Sequence, residues 1–157
     1  MKRLHIRILF GYLLFLTACS NPPASTLNSE ASFPASFDLT KMNLKVITSS
    51  LNKKQGAMST LYGNAMAFKT ATDSTAHQPG ETYALVTWKQ KADSHWFGAN
   101  IPGDLQSVNL LKTTGQPGAI TFSDQKYTGK DLSQSADTIG NAATIRFILS
   151  ERASVMP

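Results

Sequence analysis

The stretch ETYALVTWKQ, residues 81–90, restricts the fold more than any other part of the chain. Successive side chains of a strand point to opposite faces. Ala84, Val86 and Trp88 therefore share one face, and Tyr83, Leu85 and Thr87 share the other. Both faces are largely apolar, which predicts a central strand covered on both sides. The flanking segments supply its neighbours. Val46, Thr48 and Ser50 alternate with Ile47 and Ser49, NKKQG makes a turn, and Met58, Thr60 and Tyr62 alternate again, the pattern of a β-hairpin. Asn64 is placed to cap a short helix built on Ala65, Ala67, Phe68 and Ala71, ending before the loop STAHQPG. LQSVNLLKT and GAITFSD read as two further strands separated by TGQP. Residues 131–155 read as a closing helix, with Ile139, Ala142, Ala143, Ile145, Phe147 and Leu149 in one broad arc. The order strand, strand, helix, strand, strand, strand, helix predicts an α+β fold, a mostly antiparallel β-sheet with two packed helices.

The N-terminus carries an address. Lys2, Arg3 and Arg7 precede a nearly unbroken apolar run from Ile8 to Leu16, too short for a stable bilayer-spanning helix. The run ends in LTAC, which resembles the lipobox of bacterial lipoproteins, with small residues at 17 and 18 before Cys19. Residues 1–18 are then a signal peptide, and Cys19 is the lipid-bearing first residue of the mature chain. Buried acyl chains contribute about 0.8 kcal/mol per methylene, so a triacylated cysteine (palmitate among its chains) anchors stably. Ser20, not Asp, follows the cysteine, which by resemblance to the sorting pattern implies the outer membrane, facing the periplasm. Cys19 is the only cysteine, so the expected mature chain has no disulfide and no thiolate metal ligand.

Residues 19–36 are rich in Ser, Pro, Asn and Ala and read as a flexible tether, leaving 37–157 as one folded domain. The charge is corrected by the same division. The chain is +5, but three of its fifteen Lys and Arg lie in the leader; twelve against ten acidic residues remain, a net of +2. That balance does not point to nucleic acid as a partner.

Catalytic motifs are sparse. There is no G-x-S-x-G elbow and no phosphate-binding glycine loop, and His77 and His95 lie in different loops. His95 can be an axial ligand or a general acid–base, or a packed or capping side chain before Trp96 and Phe97. Asp93 beside it hints at a charge-assisted pair. Trp88 and Trp96 suit core or rim packing, with Trp96 and Phe97 as an aromatic anchor. Arg146 falls inside the apolar arc of the last helix. There it needs an anion such as a carboxylate or haem propionate, an internal salt bridge, or a snorkelling route to water.

Residues 61–90, LYGNAMAFKTATDSTAHQPGETYALVTWKQ, resemble the central block of the cytochrome P-460 superfamily. Tyr62, Gly63, Asn64, Ala67, Pro79, Gly80, Val86 and Trp88 carry the match. HWFGANIPGDLQSV and the terminal ERASVMP resemble a branch found as envelope lipoproteins. The resemblance implies an antiparallel sheet with packed helices. The typical member attaches haem through C-x-x-C-H, which this chain lacks, so no covalent cofactor is expected. The family's lysine cross-link has no motif to place it on Lys89 or Lys91. The expectation is an outer-membrane lipoprotein that kept the fold as a ligand-binding or structural envelope module, its partner a small ligand or an envelope protein, and not an enzyme. The alternative is haem held non-covalently by His95 or His77, as in a haem-dependent oxidoreductase.

Overall fold

A computed structural model describes residues 28–136 and 141–154. Its strands are β1 (Lys45–Asn52), β2 (Ala57–Gly63), β3 (Thr82–Ala92), β4 (Asn100–Gln116), β5 (Ala119–Thr128) and β6 (Ser133–Gln134). They form one antiparallel sheet whose spatial order is the chain order. Helix α1 (Ala65–Asp73) interrupts the meander between β2 and β3, and α2 (Asn141–Ser150) follows it. The α+β expectation of a mostly antiparallel sheet with two helices holds. The predicted hairpin holds too, closed by Asn52, whose Oδ1 accepts from Gln55 N at 3.1 Å.

Strand β3 is central and covered on both faces. Tyr83 and Leu85 join Ile47, Leu61 and Leu111 under Ala67 and Ala71 of α1 and Ile148 of α2. Ala84, Val86 and Trp88 join Val108, Leu110 and Leu132 on the opposite face. Asn64 caps α1 as expected, accepting from Ala67 N at 3.0 Å. Gly63, just before it, has no room for a side chain: a Cβ there would stand 2.6 Å from Ile47 Cδ1 and 2.8 Å from Ala67 Cβ.

Three expectations are corrected. The second face is covered by the N-terminal segment, with Ala31, Phe33, Phe37, Leu39, Met42 and Leu44 against it. Phe33 meets Trp88 edge-on at 6.4 Å, and Trp88 Nε1 donates to Ala31 O at 2.9 Å. Ala31 and Phe33, within residues read as tether from their polar composition, are therefore packed. Two phenylalanines suffice because the sheet offers them an apolar surface. Residues 1–27, which hold the expected signal peptide and Cys19, lie outside the described residues.

The closing helix is shorter than predicted. Residues 133–134 pair with β5 instead, and α2 begins at Asn141. Its inward residue is Ile148, fully buried, with Ile145 and Leu149 beside it. That stripe is narrower than the predicted arc. Ala142, Ala143 and Phe147 face outward, and Ile139 lies outside the described residues. Strand β4 starts at Asn100, so most of the expected loop GANIPG is strand.

Candidate functional site

The buried polar residues of the sheet gather in two places. The first surrounds Glu81, which is fully buried. Its Oε1 accepts from Thr70 Oγ1 at 2.6 Å and from Gln78 N at 2.9 Å. Its Oε2 accepts from Tyr83 OH at 2.9 Å and faces His77 Nδ1 at 2.9 Å. The backbone is fixed by Thr113, whose hydroxyl accepts from Glu81 N at 2.8 Å and donates to Gln78 O at 2.6 Å. Burial is the largest single influence on this carboxyl and pushes it up. The donors together outweigh burial and hold it below its ordinary value. Burial, then the Glu81 charge, pushes the Tyr83 phenol far up.

His77 closes the cluster. Its second nitrogen, Nε2, faces Leu149 O at 3.2 Å. A neutral imidazole has one N–H and the cation has two, so the ring donates to both carbonyl and carboxylate only as the cation. With both nitrogens engaged, His77 serves as a clasp between the loop before β3 and the last turn of α2. An axial role would require it to leave Leu149. Sequence reasoning passed over Glu81. The available signal was its position: Glu81, Tyr83 and Leu85 share one face of the most apolar strand, so the carboxylate had to point inward with them.

The second place is a groove on the same face. Side chains there change from apolar to polar along each strand, one pair earlier on β4, where Asn109 already lies opposite Leu85. Leu61 gives way to Ser59, Leu85 to Thr87, and Leu111 to Asn109 and then Ser107. The register aligns them, since Ser59 pairs with Thr87 and Thr87 with Ser107. Ser59 and Thr87 hydroxyls lie 3.1 Å apart. Helix α2, ten residues long, spans only ~15 Å and covers the apolar half. Between Phe147 and Thr144 of α2 and the β1–β2 turn, the polar half forms the floor of a groove of about 990 Å³. Lys53, Lys54 and Lys126 line it.

Asp124 stands beside this floor on the same face, opposite Leu111 in the register. Its two oxygens are buried without a partner at hydrogen-bonding distance. Burial pushes its carboxyl up, against the opposing pull of the neighbouring Asn109 amide and the Lys126 charge.

The residues singled out from sequence do not converge. His95 is exposed on the β3–β4 loop, its ring 3.4 Å from Asp93 and its backbone N–H donating to Asp93 Oδ1 at 2.8 Å. Trp96 is 72% and Phe97 109% exposed, so they anchor nothing within the described residues. The aromatic-anchor expectation is corrected: the loop turns away from the sheet. Arg146 is also exposed, because the buried stripe of α2 passes through Ile145 and Ile148 and leaves residue 146 on the solvent side. No buried anion is needed to satisfy it. Lys91 pairs with Glu30 at 2.7 Å, and Lys89 is exposed. Among the described residues no three His, Cys, Asp or Glu side chains are grouped to hold a metal ion. No protein-family model matches the chain, and no curated protein matches it.

Proposed function

We propose that this protein is a lipid-anchored envelope module that binds a small polar ligand in the groove between α2 and the β1–β2 turn. The groove carries the reading. Its floor offers hydroxyls and an amide from Ser59, Thr87, Ser107 and Asn109, lysines line it, and Phe147 gives one apolar wall. Few convergent polar groups with an aromatic side suit a compact molecule bearing hydroxyls and a negative charge. The Glu81 cluster, in contrast, is closed: its carboxylate already accepts from three donors and faces the His77 ring at 2.9 Å. It favours a structural role over a catalytic one.

The address rests on the LTAC sequence and Cys19, and the outer membrane on Ser20. A cytochrome P-460-like ancestry that has lost covalent haem attachment rests on the Tyr62-Gly63-Asn64 and Val86-Thr87-Trp88 blocks, together with an antiparallel sheet of the expected kind. A non-covalent haem would need His77 or His95 as ligand. The first is engaged at both nitrogens, and neither lines the groove.

Two experiments test the reading. Glucuronate, which combines hydroxyls with a carboxylate, should raise the melting temperature of the protein, and glucose should raise it less. Asn109→Leu should abolish the glucuronate effect; an equal response in that variant sinks the groove assignment. For the address, Cys19→Ala should carry no labelled palmitate when expressed in a bacterium that processes lipoproteins.

A further inference from the structure

The β3–β4 loop has a defined shape. Ala99 N donates to Trp96 O at 3.0 Å, closing a four-residue turn around Phe97 and Gly98. Gly98 has φ +81°, the backbone a type II turn requires at its third position. Asp93 N donates to Ala99 O at 3.0 Å and closes the loop at its base. The loop thus presents Trp96 and Phe97, two adjacent large aromatic side chains, outward into water. The neighbouring turn cannot cover them. The β1–β2 turn stops level with Gln90, whose N–H donates to Gly56 O at 2.7 Å, while β3 and β4 run on to Ala92 and Asn100.

The N-terminal end of the described chain lies at this same end of the sheet. From Ala31, held by Trp88, the chain leads back through Glu30, which accepts from Leu105 N at 3.2 Å and pairs with Lys91. It reaches Asn28, whose side chain donates to Pro102 O. Pro102 is two strand residues from Asn100, roughly 7 Å from the base of the loop. Cys19 is nine residue steps before Asn28, a reach of at most about 32 Å whatever path the chain takes.

We propose that the Trp96–Phe97 tip inserts into the interfacial layer of the same bilayer that holds the Cys19 lipid, so that the domain stands on the membrane at two points. The inference rests on the lipoprotein reading of Cys19. Tryptophan is favoured at the headgroup level, where its ring is buried and its N–H stays wet. Charge at the tip is low: Asp93 and His95 face one another, and Lys91 is paired with Glu30. A zwitterionic bilayer therefore suffices, and insertion removes the apolar area of both rings from water.

The test uses the mature full-length chain in phosphatidylcholine vesicles brominated near the top of the acyl chains. The chain has two tryptophans, Trp88 buried and Trp96 exposed. Wild type should lose the share of its emission that comes from the interfacial Trp96 ring. Trp96→Phe, which keeps an apolar tip and leaves only Trp88 to emit, should lose almost none. The mass of the N-terminal peptide reports lipid at Cys19 separately. Lipid-bearing, vesicle-bound wild type quenched no more than Trp96→Phe overturns the proposal and leaves the anchor standing. A chain without lipid mass at Cys19 overturns the anchor and this inference with it.

Discussion

His77 Nε2 lies 3.2 Å from Leu149 O, across 72 residues of sequence. This bond joins a loop residue to the last turn of α2. The segment after α2 is tied down as well, by Ala153 N to Ala71 O at 3.2 Å and Ser154 N to Ile47 O at 2.9 Å. Loop, helix and C-terminal segment thus close over one end of the sheet, with Glu81 beneath them.

Removing the clasp should loosen that end. His77→Ala removes the ring that bridges the Glu81 carboxylate and Leu149 O. Hydrogen bonds to charged groups are worth about 1.5–3 kcal/mol, and the loss should fall in that range. Urea unfolding checks it, and a change within about 0.5 kcal/mol, the usual effect of a surface substitution, would count against a clasp.

Glu81 makes stability depend on acid. Its carboxyl is held below the ordinary value of 4.5 in the folded chain. The stabilisation is present above the unfolded value and is lost as pH falls through the lower, folded one. Glu81→Gln keeps the shape, removes the charge and turns an amide N–H₂ towards groups that donate. It should cost about 2–3 kcal/mol at pH 7. The gap between variant and wild type should narrow steadily below about pH 4. A gap that does not change with pH would show that the charge contributes nothing.

Asp124 should behave in the opposite sense. Its folded carboxyl is raised above 3.8 by burial, so the fold favours its neutral form. Stability is lost as pH rises from the unfolded value through the folded one. Asp124→Asn should therefore stabilise the protein at pH 7, by about 1 kcal/mol, because it removes a charge that burial disfavours. The two proteins should converge in acid. Thermal unfolding at pH 7 and pH 3 compares them, and a destabilised variant at pH 7 would mean that Asp124 has a partner after all.

The two tryptophans should separate cleanly. Trp88 packs against Phe33 and bonds to Ala31, so Trp88→Ala should cost about 3–5 kcal/mol. Trp96→Ala, on an exposed tip, should change stability by no more than about 0.5 kcal/mol. Equal losses would contradict the burial difference.

Much of the sheet was legible before its coordinates. Alternation in residues 46–50, 58–62 and 81–90 placed β1, β2 and β3, and the two-faced apolar pattern of β3 made it central. Asn64 marked the start of α1. The last helix was less legible. Alanines at 142 and 143 fit an inward or an outward face equally well, so the arc was drawn too wide and took in Arg146. The candidate site was hardly legible. Ser59, Thr87, Ser107 and Asn109 look like ordinary polar strand residues, and only register sets them side by side.

Local sequence determined the strands, the first helix, the charge balance and the lipobox-like LTAC, because each depends on residues close together in the chain. Tertiary structure decided what covers the sheet. Phe33 sits in a segment too polar to fold alone, and it packs with Phe37 because an apolar face already stands there. It also set the fate of the charged and aromatic residues. Glu81 is buried because four polar partners reach it from α1, its own strand and the loop before it. Trp96 is exposed because β3 and β4 outrun the turn beside them. Burial of a polar group or exposure of an apolar one depends on neighbours distant in sequence, and those neighbours exist only once the chain has folded.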